Sequence, residues 1–151
     1  MEPVLRPARR EDLPLLGRYV QDYYRFEGIE FNLYRMERAL LPLLDSADYG
    51  RVWLIECGPD TIGYIILCFS WSVECGGRDA LIDEFYIAEG RRGHGYGQRA
   101  LQLVLEEARK LGVVSVYLEV GRDNLRSQRL YASLGFEARA NYYLMNRRIR
   151  D

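Results

Sequence analysis

Several kinds of functional site are not expected in this sequence because the residues that would build them are scarce. Lys110 is the only lysine, His94 is the only histidine, and the three cysteines, Cys57, Cys68 and Cys75, follow no metal-ligand spacing. A metal site and a disulfide framework are therefore not expected, and a single histidine excludes any mechanism that needs two. The cysteine usage favours a reducing cytoplasm.

Long apolar runs and an excess of charge are missing as well. No segment approaches the roughly 20 apolar residues of a membrane span, and no apolar stretch of the secretory type follows the charged residues at the start. Basic residues number 21 and acidic residues 22, which leaves a net charge of −1. We therefore expect a cytoplasmic protein with no dedicated nucleic-acid or membrane surface.

The residues that are present predict one α+β domain over 1–151. The chain has 151 residues, of which 48% are hydrophobic, and this is enough to bury a core. Helical spacing predicts helices at about 10–25 and 33–45, a clear helix that ends at Gly112, and a short one that ends at Gly135. Strands are predicted at 4–8, 51–57, 61–69, 80–87, 113–120, 136–137 and about 141–148. This order is typical of an α+β fold and not of a regular alternating α/β fold.

A glycine-rich turn, from Arg91 to Gln98, precedes the clearest helix. No Ser, Thr, Asp or Asn caps that helix, so its first backbone N–H groups lack an obvious partner. A helix start that is approached through glycines can bind phosphate, and Arg91 and Arg92 add positive charge. The alternative is a plain connection that happens to use glycines.

Two other phosphate-binding motifs fit this turn less well. A P-loop is excluded because the required Lys and Ser/Thr are absent. The stretch from Gly95 to Ala100 matches the dinucleotide pattern G-x-G-x-x-A, with Glu119 at about the expected distance for a ribose-binding acid. However, residues 88–92 separate the strand from the glycines, and only two helices follow, which is too few for a doubly wound sheet.

Three segments in order resemble the GNAT N-acetyltransferase superfamily. Arg92-Gly93-His94-Gly95-Tyr96-Gly97 resembles its Q/R-x-x-G-x-G/A acetyl-CoA loop. Upstream, Asp83-Glu84-Phe85-Tyr86-Ile87 is similar to the acid-rich strand before that loop. Downstream, Asn124, Ser127, Tyr131 and Leu134-Gly135-Phe136 are similar to the segment N-x-x-S/A-x-x-x-Y-x-x-L-G-F.

The resemblance covers essentially the whole chain and implies the GNAT fold, a mixed and mostly antiparallel sheet flanked by about four helices. It implies direct transfer of the acetyl group of acetyl-CoA to an acceptor amine that is small, with cationic amines included, or peptidic. A member of another functional class, a CoA-binding module that senses without catalysis, is the alternative. Strands at the C-terminus could pair across a homodimer.

The same resemblance assigns the cofactor-binding residues and a proton donor. Tyr131 would protonate the leaving thiolate, and the alternative is that it packs between helix and sheet. Asn124 has a second interpretation as a helix cap, and His94, at a position that the motif leaves free, is predicted to be an exposed loop residue. The residues implied in cofactor binding are Phe85, Tyr86, Ile87, Arg92, Gly93, His94, Gly95, Tyr96, Gly97, Gln98, Asn124 and Ser127.

A carboxylate near the acceptor would be needed because an alkyl amine, with a pKa of about 10.4, is almost fully protonated at neutral pH. Asp83 and Glu84 are the candidates for this general base. Strand alternation places neighbouring side chains on opposite faces unless a bulge intervenes, so only one of the two would face a cleft, and the resemblance slightly favours Asp83. A purely structural role, in salt bridges with arginines, is the alternative.

The acceptor side is predicted at the connection between the first two helices. Tyr24, Glu27 and Glu30 are the candidate substrate-binding residues there, because carboxylates and aromatic faces suit a cationic amine. The alternative is a solvated loop over a hydrophobic core.

Overall fold

A computed structural model of the chain describes residues 1–150. The chain divides into two compact units, Met1–Glu119 and the residues from Val120 onwards. The α-helices and strands are β1 (Val4–Pro7), α1 (Leu13–Glu27), α2 (Leu33–Asp45), β2 (Gly50–Cys57), β3 (Asp60–Ser72), β4 (Gly77–Ile87), α3 (Tyr96–Lys110), β5 (Ser115–Tyr117) and α4 (Leu125–Ser133). Of the helices within 1–150, none is long and apolar enough to cross a membrane.

The first unit is built on a five-stranded sheet in the order β1-β2-β3-β4-β5. The first four strands are antiparallel to their neighbours, whereas β5 runs parallel to β4. The four helices and the mixed, mostly antiparallel sheet confirm the predicted α+β fold class.

Helices cover both faces of this sheet. On one face, Leu16 and Val20 of α1 and Met36 and Leu40 of α2 pack with buried residues of β2, β3 and β4, among them Tyr64. On the other face, Ala100 of α3 packs with residues that include Ile55, Ile62 and Ile87. Both faces of the central strands are therefore apolar and buried between layers of helices.

Helix α2 shows how closely local sequence signals set an element's bounds. Its predicted range, 33–45, is confirmed. Asn32 begins the helix, since its side-chain oxygen accepts a hydrogen bond from the backbone N–H of Arg35 at 2.9 Å. Pro42 lies in the last turn, and its missing N–H costs only one helical hydrogen bond there.

Strand β4 carries an irregularity that decides the layout of the site. Ile66 of β3 pairs with Glu84 and Leu67 pairs with Ile82, so Asp83 is an extra residue without a partner in β3. Such a bulge interrupts the two-residue alternation of side chains. Regular alternation would place Ile82 and Glu84 on one face, whereas the bulge places them on opposite faces.

The prediction of a long, buried strand over 113–120 is also wrong. The backbone N–H of Val113 bonds to the carbonyl of Ala108 and so completes the end of α3. Strand β5 then covers only Ser115–Tyr117, with half-buried or exposed side chains. It stops where β4 reaches the bulge at Asp83, because the ladder of a parallel pair needs regular spacing on both strands.

The second unit contains α4, whose end before Gly135 is confirmed. The strands predicted at 136–137 and about 141–148 are wrong, since no strand forms between residues 134 and 150. Tyr142, Tyr143, Leu144 and Met145 are all exposed in this segment. Without a partner strand or a buried face, an extended segment lacks the pairing and apolar burial that stabilise a strand.

Candidate functional site

Two tyrosine hydroxyl groups hold the side chain of Glu84 on the face of the sheet covered by α1 and α2. The Tyr24 hydroxyl, from α1, donates to Glu84 Oε2 at 2.5 Å. The Tyr64 hydroxyl, from β3, donates to Glu84 Oε1 at 2.8 Å. Tyr64 is fully buried, so the carboxylate is fixed from the sheet on one side and from the helix on the other.

The surroundings of Glu84 act on its charge in opposite directions. Burial raises the pKa of Glu84, the two tyrosine hydrogen bonds lower it, and the charge of Asp83 raises it. The net effect is a raised pKa, since desolvation is the largest contribution. Burial and the same carboxylate raise the pKa values of Tyr24 and Tyr64, so both phenols stay protonated and remain donors.

The bulge brings Asp83 near the same group of side chains. Burial raises the pKa of the Cys68 thiol to about 11, and the charges of Asp83 and Glu84 both add to the increase. Asp83 also contributes to the raised pKa of Tyr24. Both carboxylates therefore raise the pKa of the Cys68 thiol and of the Tyr24 phenol. Asp83 keeps contact with solvent, and its pKa is raised by partial burial and by the charge of Glu119.

The glycine turn begins α3 as its sequence predicts, without a side-chain cap. Gly95 is the N-cap residue, with φ 78, in the left-handed region that favours glycine. The backbone N–H of Arg99 bonds to the Gly95 carbonyl at 3.2 Å. The preceding N–H groups, of Tyr96, Gly97 and Gln98, are the ones that a helix leaves unpaired at its start.

The space beside Gly95 is open among residues 1–150. A Cβ placed on Gly95 would have no atom within 4 Å, so this part of the turn is open to a ligand. Gly93 also has a positive φ, and His94 is exposed, as predicted. The turn therefore presents backbone N–H groups and a helix dipole to solvent, which is the arrangement that binds phosphate.

The two arginines of the turn are both engaged with other groups. Arg91 pairs with Asp60 at 3.0 Å. Arg92 donates from Nε to the carbonyl oxygen of Ile87 at 2.7 Å. The guanidinium carbon of Arg92 lies 4.8 Å from the ring centre of Phe26 and 5.4 Å from that of Tyr86.

The residues between the bulge and the turn lie on a strand with one free edge. Strand β4 pairs with β5 only from Asp79 to Leu81. From Glu84 to Ile87 it pairs with β3 alone within the described chain. Phe85, Tyr86 and Ile87 therefore offer backbone groups along an edge that no strand of residues 1–150 covers.

The connection between α1 and α2 follows the end of α1, where Tyr24 bonds to Glu84. The ring of Tyr24 meets that of Phe31 edge to face, with ring centres 6.2 Å apart. Glu27 and Glu30 are exposed, and both add negative charge to the connection. Three of the predicted substrate-binding residues are thus close in sequence, but only Tyr24 contacts a candidate catalytic carboxylate directly.

The second unit contains three further candidates. Asn124 caps α4, because its side-chain oxygen accepts from the backbone N–H of Ser127 at 3.2 Å. Tyr131 is half-buried and packs edge to face against Phe136, with ring centres 5.9 Å apart.

Several residues that shape the site are missed by sequence reasoning. Tyr64 follows no motif, and it is 20 residues from Glu84 in the chain. Phe26 contacts Arg92 across an even longer separation. The only signal in the sequence is the clustering of tyrosines near Tyr24, which predicts an aromatic acceptor side but not its hydrogen bonds.

Comparison with known proteins agrees with this architecture. Among solved structures, an integron cassette protein from the mobile metagenome of Cole Harbour Salt Marsh is 31% identical, with a TM-score of 0.85 over 97% of this chain and 91% of that one. A predicted acetyltransferase with acetyl-CoA from Clostridium acetobutylicum has a TM-score of 0.79 at 20% identity, over 95% of this chain and 96% of that one. The second likeness is one of fold alone.

Similarity in sequence gives the family. An uncharacterized N-acetyltransferase from Archaeoglobus fulgidus is 28% identical over 85% of this chain and 89% of its own. A thialysine N-epsilon-acetyltransferase from Bos taurus is 33% identical over 87% of this chain and 82% of its own. The family model described as "Acetyltransferase (GNAT) family" matches residues 16–136. The chain therefore belongs to the GNAT acetyltransferase family and is an acyltransferase.

Proposed function

We propose that this protein transfers the acetyl group of acetyl-CoA directly to the amine of a small, cationic acceptor, with Glu84 as the general base. The observation that carries the proposal is the position of Glu84, a half-buried carboxylate oriented by Tyr24 and Tyr64 at 2.5 and 2.8 Å. A base that is fixed by two hydrogen bonds needs little rearrangement when the acceptor arrives.

The start of α3 fits the phosphates of acetyl-CoA. Its unpaired N–H groups and helix dipole suit an anion, and Gly95 leaves the space beside them open. The free edge of β4 from Phe85 to Ile87 suits the amide-bearing part of the same molecule, which can hydrogen-bond to a strand. Acetyl-CoA supplies the acetyl group in an activated form, as a thioester.

Glu84 would make the acceptor reactive by removing its proton. An alkylammonium ion with a pKa of about 10.4 must lose a proton before its nitrogen can attack a carbonyl carbon. Glu84 takes that proton, directly or through one water molecule. The C–N bond then forms as the C–S bond breaks, and the electron pair leaves on sulfur as a thiolate. The acetylated nitrogen gives up a second proton to water, which leaves a neutral amide. Asp83 adds a second negative charge that attracts the cation.

Tyr131 is proposed as the donor that returns a proton to the thiolate. This assignment rests on the motif that Tyr131 shares with the family. A tyrosine with a pKa near 10 is a weak acid toward a thiolate with a pKa near 8.5, so the proton transfer is uphill by about 2 kcal/mol. We therefore expect Tyr131→Phe to lower turnover toward the lower end of the range for acid–base groups, by about 100-fold.

Three observations support a cationic acceptor. Glu27 and Glu30, which follow Tyr24 in the sequence, are exposed and negatively charged. The Asp83–Glu84 pair on β4 adds two carboxylates. The rings of Tyr24 and Phe31 offer faces that attract cations. The relative from Bos taurus is named for acetylation of thialysine, a molecule with a side-chain amine. A short aliphatic diamine or an amino acid with a side-chain amine is therefore the first choice for a screen.

A thiol-release assay across an amine panel tests the proposal. The panel should hold lysine, thialysine, short diamines, aminoglycosides and peptides with a free N-terminus. We expect free thiol only when a cationic amine is present, and a higher melting temperature with acetyl-CoA but not with NAD(H) or NADP(H). Binding of CoA without turnover on any amine would instead favour a CoA-binding sensor.

A further inference from the structure

Arg92 occupies the first position of the acetyl-CoA motif, and its side chain contacts the acceptor side of the protein. We propose that Arg92 is a positioning residue, which ties the glycine turn to α1 and β4, and that its side chain is not a phosphate ligand. This inference rests on the proposed function, because it assumes that the turn binds acetyl-CoA and that α1 borders the acceptor.

The contacts of Arg92 reach two elements outside its own turn. Nε donates to the carbonyl oxygen of Ile87 at 2.7 Å, which fixes the guanidinium at the end of β4. The guanidinium carbon lies 4.8 Å from the ring centre of Phe26, in the last turn of α1. It also lies 5.4 Å from that of Tyr86, on β4. Both distances fall within the range of a cation–π contact.

The same two elements hold the proposed base. Helix α1 provides Tyr24, which donates to Glu84 and lies two residues before Phe26. Strand β4 provides Glu84 itself, and Tyr86 follows two residues later, in the same buried cluster as Tyr64. Arg92 therefore joins the ends of the two elements whose separation decides whether Tyr24 reaches Glu84.

The exposure of Phe26 shows what Arg92 adds at this point. The ring of Phe26 is 64% exposed, so core burial does not fix this ring, whereas Tyr23 and Tyr24 of the same helix end pack against the core. Tyr86, by contrast, is 7% exposed and is fixed by the sheet. A guanidinium between an exposed ring and a ring fixed by the sheet ties the exposed ring in place, so Arg92 adds a link between the end of α1 and β4.

Arg91 offers a matched control in the same turn. Its guanidinium carries the same charge but pairs with Asp60, the first residue of β3, at 3.0 Å. Replacement of either arginine by glutamine removes one positive charge from the turn. Only the replacement of Arg92 releases α1.

Three variants separate positioning from phosphate binding: Arg92→Gln, Phe26→Leu and Arg91→Gln. Phe26→Leu removes the ring under the guanidinium and keeps the charge of Arg92. We expect Arg92→Gln and Phe26→Leu each to raise the KM of the best amine from the panel by about fivefold or more, with the Kd of CoA within about threefold of wild type. Arg91→Gln should leave the amine KM unchanged.

Hydrogen exchange gives a readout that needs no acceptor. Backbone amides in the last two turns of α1 should exchange faster in Arg92→Gln and Phe26→Leu than in wild type, and at the wild-type rate in Arg91→Gln. The melting temperature of each variant, measured first, shows that it is folded.

Two results would overturn the inference. One is a rise of about tenfold or more in the Kd of CoA for Arg92→Gln, as expected for a lost phosphate contact. The other is a Phe26→Leu variant with the amine KM and hydrogen exchange of wild type. A wild-type protein that binds no CoA would contradict the proposed function itself, and the inference would fall with it.

Discussion

The hydroxyl groups of Tyr24 and Tyr64 control, at the scale of single residues, how readily Glu84 can act as a base. Each stabilises the ionised carboxylate, and together they oppose the effect of burial on its pKa. Hydrogen bonds to a charged group are stronger than those between neutral groups. A carboxylate that is both buried and held by donors can remain ionised at neutral pH without losing its orientation.

Tyr24→Phe should therefore shift the acid limb of the profile of kcat/KM against pH to higher pH. Removal of a donor leaves the carboxylate less stabilised, so the pKa of Glu84 rises, and the base is protonated over more of the acid range. The profile should be measured with the best amine of the panel. Tyr19→Phe is the control, because the Tyr19 hydroxyl donates to the Thr61 carbonyl and not to Glu84. Equal profiles for Tyr24→Phe and wild type would contradict this role.

The residues around Glu84 also mark how far sequence reasoning reaches. The likeness to a motif predicts the acid pair, and the helix connection predicts Tyr24 as a substrate-binding residue. The bulge at Asp83 was not predictable, because it depends on the register between β3 and β4. The hydrogen bond from Tyr24 to Glu84 spans 60 residues, and no local pattern encodes a contact of that length.

At the scale of elements, the start of α3 combines a backbone conformation that suits glycine with open space for a ligand. Gly95→Asp should weaken CoA binding by about tenfold or more, since a carboxylate would stand beside the pyrophosphate. The same carboxylate suits the helix N-terminus, so the melting temperature should fall little. Isothermal titration of CoA measures the change.

Gly95→Asn is the matched control for that prediction. Asparagine has nearly the same size, carries no charge and tolerates a positive φ better than most residues. We expect it to weaken CoA binding clearly less than Gly95→Asp does. If Gly95→Asp bound CoA with the affinity of wild type, this turn would not be the phosphate-binding site.

The pairing of β3 with β4 is the element contact on which the site depends most. A Cβ on Gly63 would lie 2.0 Å from the backbone oxygen of Tyr86, so the strands would have to separate. Gly63→Ala should lower the free energy of unfolding by about 1–3 kcal/mol or more, measured by urea denaturation. Gly90→Ala, where no atom lies within 4 Å of the added carbon, should change it by less than about 0.5 kcal/mol. Equal stability of the two variants would contradict the close strand approach.

The elements themselves were predictable where local signals decide them. The capped and amphipathic α2 matches its predicted range. The central strands were located, but β3 and β4 extend beyond the predicted ends, because each continues for as long as its neighbour offers hydrogen bonds. The tyrosine-rich segment near the C-terminus has strand propensity without a partner, and no strand forms there.

At the scale of the whole molecule, the near-zero net charge is a sum of local excesses. Acidic side chains gather around Glu84 and the connection between α1 and α2, while the arginines are spread along the chain. Arg91 and Arg92 lie in the proposed phosphate-binding turn. Arg91 pairs with Asp60, and Arg92 contacts the carbonyl oxygen of Ile87 and two aromatic rings. Nothing in the structure explains why arginine replaces lysine at nearly every basic position.

Global stability should depend on pH through Asp12. The guanidinium of Arg6 and the backbone N–H of Arg9 hold the pKa of Asp12 below its usual range. Its contribution is therefore fully present above the unfolded pKa of about 3.9 and is lost as pH falls through the lower folded value. Asp12→Asn should lower Tm at pH 7, and the difference from wild type should shrink in acid.

Asp22→Asn is the control for this pH dependence. Asp22 pairs with Arg25 at 3.3 Å on the surface of α1, and such exposed pairs contribute little. Its Tm should stay close to wild type at each pH. If the Tm of Asp12→Asn stayed below that of wild type by the same amount at low pH, the loss of stability would not come from the charge of Asp12.

A single-turnover reaction with acetyl-CoA that carries ¹³C in the acetyl group tests directly whether Glu84 is the general base of acetyl transfer to an amine. Wild type and Glu84→Gln should be mixed with the best amine, and product and free CoA followed by mass spectrometry. We predict label on the amine nitrogen, one CoA released per acetylated amine, and a rate about 100-fold or more lower in Glu84→Gln at unchanged CoA affinity. Transfer at the wild-type rate by Glu84→Gln would exclude Glu84 as the general base. A wild-type protein that binds CoA and transfers nothing to any amine would exclude the acetyltransferase function.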